Sequence, residues 1–347
     1  MDNQKTASPP RNFGREFLFY WQQLPHKGFF FVLLAAWLML FQFLGNSTFG
    51  YVDTPSLFHW MANAYSTGNL HWAPRILQSP MTALSKLMGG DDAHGFFIPI
   101  IVLVLFWWKR KELFALRSQP WGPGLLVLAL ALVLHVVGYV VQQPRFSIVA
   151  LFTGIYGMMG LAWGRSWLRA SFFPFFLFVF AVPLGSIAEP ITFPLRLLVT
   201  KIVAFICGDL LGMDVVSEGT RLLKMPGGYE YEVAAACSGI RSLVAITALA
   251  IVYAFAFFRG NGERALLIFS AIPLAIVGNT FRLLAIVIAA EIRGQQAGNK
   301  MHESDFGSLL PYVPVILGLI LIGRWLENRK ANKPLTDGEP RPQPTAI

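Results

Sequence analysis

Long apolar runs alternate with short polar connections along most of the chain. A helix needs about 20 apolar residues to cross the hydrocarbon core of a bilayer, within a range near 17–25. Backbone polar groups in lipid must be paired internally, which helices achieve. The runs therefore predict an all-α integral membrane protein, a polytopic bundle of about eight transmembrane helices. The eight runs are residues 29–45, 95–108, 123–141, 148–163, 172–188, 233–258, 265–290 and 309–326.

Composition and charge agree with a membrane location. Apolar residues make up 55% of the 347 residues and charged residues 14%, whereas soluble domains carry roughly 25% charged residues. The net charge of +9 is divided among short clusters, so we expect no nucleic-acid partner, which would need a basic soluble face. The two cysteines, Cys207 and Cys237, form neither a metal-ligand spacing nor a disulfide framework. We therefore expect no metal and no cofactor.

The positions of lysine and arginine predict how the chain crosses the membrane. Loops rich in these residues face the cytoplasm. All five basic clusters lie on one side only if the interrupted run 193–213 does not cross, so we predict an interfacial or re-entrant helix there. Both termini are then cytoplasmic, in a multi-pass protein of the cell membrane (the inner membrane in a Gram-negative cell). The clusters are Lys5, Arg11, Arg15 and Lys27; Lys109, Arg110, Lys111 and Arg117; Arg165 and Arg169; Arg259 and Arg264; and Arg324, Arg329, Lys330 and Lys333.

Two polar segments lie outside the cytoplasm in this topology. The loop 46–92 is long and poor in basic residues, and we expect a short helix in it near residues 56–65. The segment 214–231 contains the turn sequence Pro226-Gly227-Gly228 between strand-like residues. It predicts a small extracytoplasmic hairpin ahead of the helix that carries Cys237.

Composition divides the chain into three parts. The first 28 residues are polar and form a cytoplasmic segment, too long for the n-region of a cleaved signal peptide. The transmembrane domain follows at 29–326. The tail at 327–347 is rich in proline and polar residues, which predicts a disordered cytoplasmic segment.

Cys237 is the candidate nucleophile. It lies at the predicted outer start of run six, with Ser238 next to it and Arg241 four residues later. A lone cysteine in an apolar helix is usually a small buried residue. However, a helix N-terminus and an arginine one turn away both favour the thiolate, and a thiolate is the better nucleophile. Ser238 and Arg241 are supporting or substrate-binding candidates.

Arg282 is the strongest single signal for a functional site. It lies in the outer part of run seven, in Gly278-Asn279-Thr280-Phe281-Arg282. A charged residue inside a span costs about 2.5–3.5 kcal/mol on insertion scales and marks function by default, although arginine near an interface can also snorkel. Asn279 shares its helix face and is a supporting candidate. The guanidinium can stabilise a tetrahedral oxyanion or bind a substrate carboxylate through two bonds.

His302 is the candidate general base and acid. A loop histidine is more often a solvated side chain, but beside a thiol it is suited to proton transfer to and from the nucleophile and the leaving amine. Glu303 and Asp305 are candidates to orient its ring. Cys207, in contrast, lies in an amphipathic segment, and we expect it to serve packing.

The motifs around these residues resemble the exosortase/archaeosortase family in order and spacing. The resemblance rests on Ala236-Cys237-Ser238-Gly239-Ile240-Arg241-Ser242, Asn279-Thr280-Phe281-Arg282 and His302-Glu303 with Gly307. Asp92-Ala93-His94-Gly95-Phe96, Trp107-Trp108-Lys109-Arg110 and Asp214-Val215-Val216-Ser217-Glu218-Gly219 are also similar to the family. The resemblance covers about residues 90–325, the core of the predicted transmembrane domain.

The resemblance implies a membrane-embedded cysteine protease or transpeptidase with an extracytoplasmic site. Its substrates would be membrane-anchored exported proteins with a C-terminal sorting signal: a Pro-Glu-Pro-like motif, a transmembrane helix and a basic cluster. Cys237 would form a thioester with the substrate, and Arg282 and His302 would complete the site. The product would pass to an acceptor, for which a lipid or glycan is a candidate, or to water.

Two other classes of function fit a polytopic membrane protein. In a transporter or channel, Arg282 and the outer histidines would line a substrate path, but such proteins often show internal repeats, and none is visible here. In a non-catalytic assembly protein, Cys237 would be replaceable by alanine without loss of function.

Overall fold

The computed structural model describes residues 12–48, 52–66, 92–184, 189–225, 227–232, 240–303, 307, 309–310 and 312–331. It divides the chain into two compact units, Met1–Ile187 and Ala188–Ile347. The described residues are mainly helical, with three short strands in the second unit. Each unit is described by itself below.

The first unit is built from helices alone in its described residues. The short helix expected near residues 56–65 is confirmed. Ser56 caps it by accepting a hydrogen bond from the main-chain N–H of His59. The α-helices are α1 (Phe13–Gln23), α2 (Lys27–Leu44), α3 (Leu57–Tyr65), α4 (Ile98–Trp108), α5 (Arg110–Ala115), α6 (Gly124–Val140), α7 (Pro144–Trp163) and α8 (Arg165–Phe176); 3₁₀ helices span Ala93–Phe96 and Leu177–Ala181.

Close contacts between α2, α6 and α7 form the core of this unit. Gly157 of α7 faces Gly124 of α6 so closely that an added Cβ at Gly124 would lie 2.7 Å from the Gly157 carbonyl oxygen. Gly154 faces the indole of Trp37, whose Nε1 donates to the Leu151 carbonyl at 3.0 Å. Small residues at such contacts allow apolar helices to pack where lipid provides no hydrophobic driving force.

The predicted fifth span is not one continuous helix. α8 begins at Arg165 and gives way to a 3₁₀ helix at Leu177. Pro174 lacks an N–H and its ring crowds the carbonyl four residues earlier, that of Ala170. That carbonyl instead accepts a hydrogen bond from Lys109 Nζ at 2.7 Å, a tertiary contact that the apolar run alone does not reveal.

The number of membrane-spanning helices remains a prediction. Within the described residues, α2, α7 and the long helix Asn261–Arg293 are long and apolar enough to cross a membrane. Three shorter apolar helices lie at Ala93–Trp108, Gly124–Val140 and Leu243–Phe257. These features support a helical membrane protein.

The second unit combines helices with a small antiparallel sheet. Its helices are α9 (Glu189–Phe205), α10 (Ile240–Phe257), α11 (Asn261–Arg293), α12 (Gln295–Glu303) and α13 (Tyr312–Ala331). A π-helical turn, Ile206–Leu210, follows α9 directly. The interfacial or re-entrant placement expected for 193–213 stays a prediction.

The predicted hairpin is a three-stranded meander of β1 (Val215–Glu218), β2 (Arg221–Lys224) and β3 (Glu230–Glu232). The second turn, between β2 and β3, falls where it was expected, and Gly227 there has a φ of +70°; Pro226 lies outside the described residues. The two-strand prediction missed the first turn, where Gly219 adopts a φ of +60° and Glu218 pairs with Arg221. Glycine adopts such positive φ values without steric cost.

The sheet is part of an apolar core shared with α9 and α11. Leu222 of β2 is completely buried in it, as is Cys207 of the π-helical turn, which confirms the packing role expected for Cys207. The other buried members are Val199, Val203, Val215, Tyr229, Leu283, Ile286, Val287 and Ala290. A second cluster joins α10, α11 and α13, so α11 is common to both.

Candidate active site

Arg282 lies on α11 at the edge of its buried face. Asn279, one turn earlier, is 4% exposed, and Leu283 next to Arg282 is 2% exposed. Arg282 itself is half-buried. Arg282 Nε is inaccessible to solvent, so this part of the guanidinium lies against the protein.

A reversal of the chain after α11 brings His302 back to Arg282. Gly294, with a φ of +79°, ends α11, and α12 starts at the next residue. Arg282 Nη2 then donates a hydrogen bond to the main-chain oxygen of His302 at 3.4 Å. The last carbonyls of a helix have no intrahelical donor and lie at the negative end of its dipole, so the guanidinium stabilises the end of α12. Two of the three predicted catalytic residues are thus adjacent.

Two buried polar atoms on this part of α11 have no hydrogen-bond partner among the described residues. Arg282 Nε and Thr280 Oγ1 are both inaccessible to solvent and accept or donate no hydrogen bond there. Most buried polar atoms in proteins are hydrogen-bonded, and each exception needs an explanation. The Arg282 Nε–H is a charged donor without an acceptor among the described residues. Such a donor can bind an oxyanion or a carboxylate.

The remaining predicted site residues are only partly described. Cys237 and Ser238 lie outside the described residues, between β3 and α10, and the helical position expected for the cysteine stays a prediction. Arg241 is the second residue of α10, and Glu303 ends α12; neither side chain belongs to the described part. Asp305 is also outside it. No group of three or more His, Cys, Asp or Glu residues suited to a metal occurs in the described ranges.

The structure also reveals a polar cluster that the sequence did not indicate. Glu291, near the end of α11, accepts a hydrogen bond from Lys224 Nζ at 2.5 Å and another from the Tyr229 hydroxyl at 3.1 Å. Lys224 and Glu291 are 67 positions apart. Their pairing depends on the fold, although an acid directly after the apolar run 265–290 was a visible signal.

A groove of about 860 Å³ runs along the end of α9, the π-helical turn and β1. Lys201, Asp209 and Asp214 contribute charges of both signs to its lining. Within the described part of the chain, neither Arg282 nor His302 lines it. The groove is therefore distinct from the Arg282–His302 contact.

The upstream motif at residues 92–96 has a structural role in the first unit. Asp92 Oδ1 accepts a hydrogen bond from the main-chain N–H of Leu184 at 3.1 Å. Gly95 lies against the Tyr65 ring, where any Cβ would collide. The Tyr65 hydroxyl donates to the Ala181 carbonyl, and burial, with the Asp92 charge nearby, raises the pKa of that hydroxyl. These contacts join α3 to both 3₁₀ helices.

Comparison with known proteins identifies the family. The family model described as transmembrane exosortase matches residues 87–322, well over half of the 347-residue chain. This range agrees with the resemblance at about residues 90–325, which is confirmed. No curated protein and no solved structure matches the chain. The chain therefore belongs to the transmembrane exosortase family of membrane transpeptidases.

Proposed function

We propose that this protein is a membrane-embedded cysteine protease or transpeptidase with Cys237 as nucleophile. It cleaves the C-terminal sorting signal of exported proteins, a Pro-Glu-Pro-like motif followed by a transmembrane helix. Family membership supports the reaction class. The observation that carries the assignment of site residues is the hydrogen bond from Arg282 to the His302 main chain, beside a buried Nε without an acceptor among the described residues.

The first half of the proposed reaction forms a thioester. The Cys237 sulfur attacks the carbonyl carbon of the scissile peptide bond, after its proton has passed to the His302 imidazole. Collapse of the tetrahedral intermediate breaks the C–N bond, and His302 returns the proton to the departing amine. Arg282 stabilises the oxyanion in this scheme, a contribution of about 2.7–4 kcal/mol for one donor in another enzyme; its second candidate role is to bind a substrate carboxylate.

The second half transfers the substrate. An acceptor nucleophile loses its proton to His302 and attacks the thioester, and Cys237 leaves as the thiolate. A lipid or glycan hydroxyl or amine gives transfer, and water gives hydrolysis. Asn279 and Glu303 are proposed to support Arg282 and His302, and Ser238 and Arg241 to support the nucleophile or bind substrate.

We place this site at the extracytoplasmic face of the cell membrane. α11 has 33 residues and is about 50 Å long at 1.5 Å per residue, whereas the hydrocarbon core is about 30 Å thick. Its ends therefore extend beyond the hydrocarbon region. The basic residues Arg259 and Arg264 near its start favour the cytoplasmic side for that end, which leaves the Arg282–His302 end outside, near the scissile bond of an anchored substrate.

Substrate processing tests the proposed function. Wild type, Cys237→Ala and Cys207→Ala are expressed with a tagged substrate that carries a Pro-Glu-Pro-like signal. We expect processing by wild type and by Cys207→Ala, the matched cysteine control, and accumulation of full-length substrate with Cys237→Ala. Equal processing in all three strains, or none in any strain with several signals, would favour a transporter or an assembly protein.

A further inference from the structure

A polar clamp connects the small sheet to the helix that carries Arg282. Lys224 Nζ lies 2.5 Å from Glu291 Oε1, and the Tyr229 hydroxyl donates to Glu291 Oε2 at 3.1 Å. Both carboxylate oxygens are therefore engaged. The Lys224 and Glu291 side chains are 30% and 28% exposed, so this ion pair is better shielded from water than a surface pair, whose contribution is usually small.

The turn between β2 and β3 holds both donors of the clamp in place. The Lys224 main-chain N–H donates to the Tyr229 carbonyl at 3.0 Å, and the Gly228 N–H donates to the Lys224 carbonyl at 3.1 Å. A Cβ at Gly228 would lie 2.8 Å from Lys224 Cβ and Cγ. The aliphatic part of the Lys224 side chain therefore packs against Gly228, where a larger residue would collide with it. Lys224 Nζ lies 5.8 Å from the centre of the Tyr229 ring.

The clamp joins the sheet that precedes Cys237 in sequence to the helix that carries Arg282. Tyr229 directly precedes β3, and Cys237 follows the end of β3 by five positions. Glu291 lies nine positions after Arg282 on the same helix. Leu222 of β2 belongs to the same apolar core as Ile286 and Val287 of α11, so buried side chains also join the sheet to this helix.

Apolar packing alone does not fix the position of the sheet along α11. Dispersion and hydrophobic contacts have little directionality, whereas a carboxylate held by two donors has a defined orientation. Displacement of a reacting group by about 1 Å can reduce a rate about 10²-fold. A sheet that shifts along α11 would move the segment leading to Cys237 relative to Arg282.

We propose that Lys224, Tyr229 and Glu291 are positioning residues that align the Cys237 segment with Arg282. This inference rests on the proposed function and assigns these three residues no contact with the reacting atoms. It predicts an effect on turnover rather than on substrate binding.

The test measures kcat and KM separately for the full-length protein in nanodiscs with a signal-bearing substrate. Glu291→Gln removes the charge, and Tyr229→Phe removes the hydroxyl that donates to Glu291. We expect kcat to fall about 10–100-fold for Glu291→Gln and less for Tyr229→Phe, with KM within about 2-fold of wild type. Lys224→Arg, which keeps a cationic donor, should retain most of kcat.

A second ion pair on the same sheet provides the matched control. Arg221 and Glu230 pair across β2 and β3 at 3.2 Å, and both side chains are 54% exposed. Arg221→Gln should leave kcat and KM unchanged. A similar loss in this variant would overturn the proposal, since any change to the sheet would then suffice.

The outcomes separate the clamp from the proposed function. Wild-type kcat in Glu291→Gln, together with no processing by Cys237→Ala, would overturn the clamp and leave the proposed function intact. A smaller amount of folded protein with unchanged kcat per folded molecule would also overturn it, because the clamp would then be structural only. Processing by Cys237→Ala would overturn both.

Discussion

The Arg282 side chain donates a hydrogen bond from Nη2 to the main-chain oxygen of His302 at 3.4 Å, across 20 positions of sequence. Gly294 makes this contact possible because its positive φ reverses the chain between α11 and α12. The arginine therefore has two functions in our proposal. It fixes the end of the helix that carries His302, and it presents its remaining donors to the substrate.

Replacing Arg282 by lysine tests the second of these functions. Lysine keeps the charge but lacks the planar fork of donors, so we expect kcat to fall about 10²–10³-fold, the effect of losing one oxyanion donor. Arg293→Lys is the matched control, since Arg293 is exposed at the end of the same helix. Retention of full activity by Arg282→Lys would contradict the role of the guanidinium.

The two cysteines should differ sharply in reactivity. Cys207 is completely buried, and burial, followed by the negative charge of Glu291, raises the pKa of its thiol. A raised pKa keeps the thiol protonated at neutral pH, and the reactive thiolate appears only as the pH rises towards that raised value. A membrane-impermeant maleimide at pH 7 in intact cells should therefore label Cys207→Ala but not Cys237→Ala. Labelling at Cys207 before denaturation would contradict its buried position.

Gly154 should be indispensable for packing in the first unit. A Cβ at this position would lie 2.2 Å from Trp37 Cζ2, and overpacking of this kind costs about 1–3 kcal/mol. Gly154→Ala should therefore lower the melting temperature of the detergent-extracted protein. Gly28→Ala, on an open face of α2 with no neighbour within 4 Å of the added Cβ, should leave it unchanged or slightly raised, because alanine favours a helix. Equal melting temperatures for both variants would contradict the close contact with Trp37.

Local sequence signals predicted those features that depend only on residues close together in the sequence. The short helix expected near residues 56–65 is α3, and Pro226-Gly227-Gly228 identified the turn before β3. The spacing of Asn279 and Arg282 placed them on one face of a helix that the structure confirms. Each of these predictions requires only the geometry of one element.

Features that depend on tertiary contacts could not be predicted in this way. The Ala170 carbonyl inside α8 is bound by Lys109, 61 positions earlier in the chain. The clamp joins residues 62 and 67 positions apart, and only the docked sheet brings them together. The Arg282–His302 contact was expected as proximity at one membrane face, but the capping of α12 by the guanidinium depends on the reversal at Gly294.

Mass spectrometry of the protein quenched in acid during turnover tests the thioester on Cys237 most directly. In wild type and in Cys207→Ala, the peptide that contains Cys237 should carry the mass of the substrate's N-terminal product, and hydroxylamine should remove this mass. Cys237→Ala should form no adduct and release no product. Substrate cleavage by Cys237→Ala, or an adduct on any residue other than Cys237 in the wild type, would contradict the proposed chemistry.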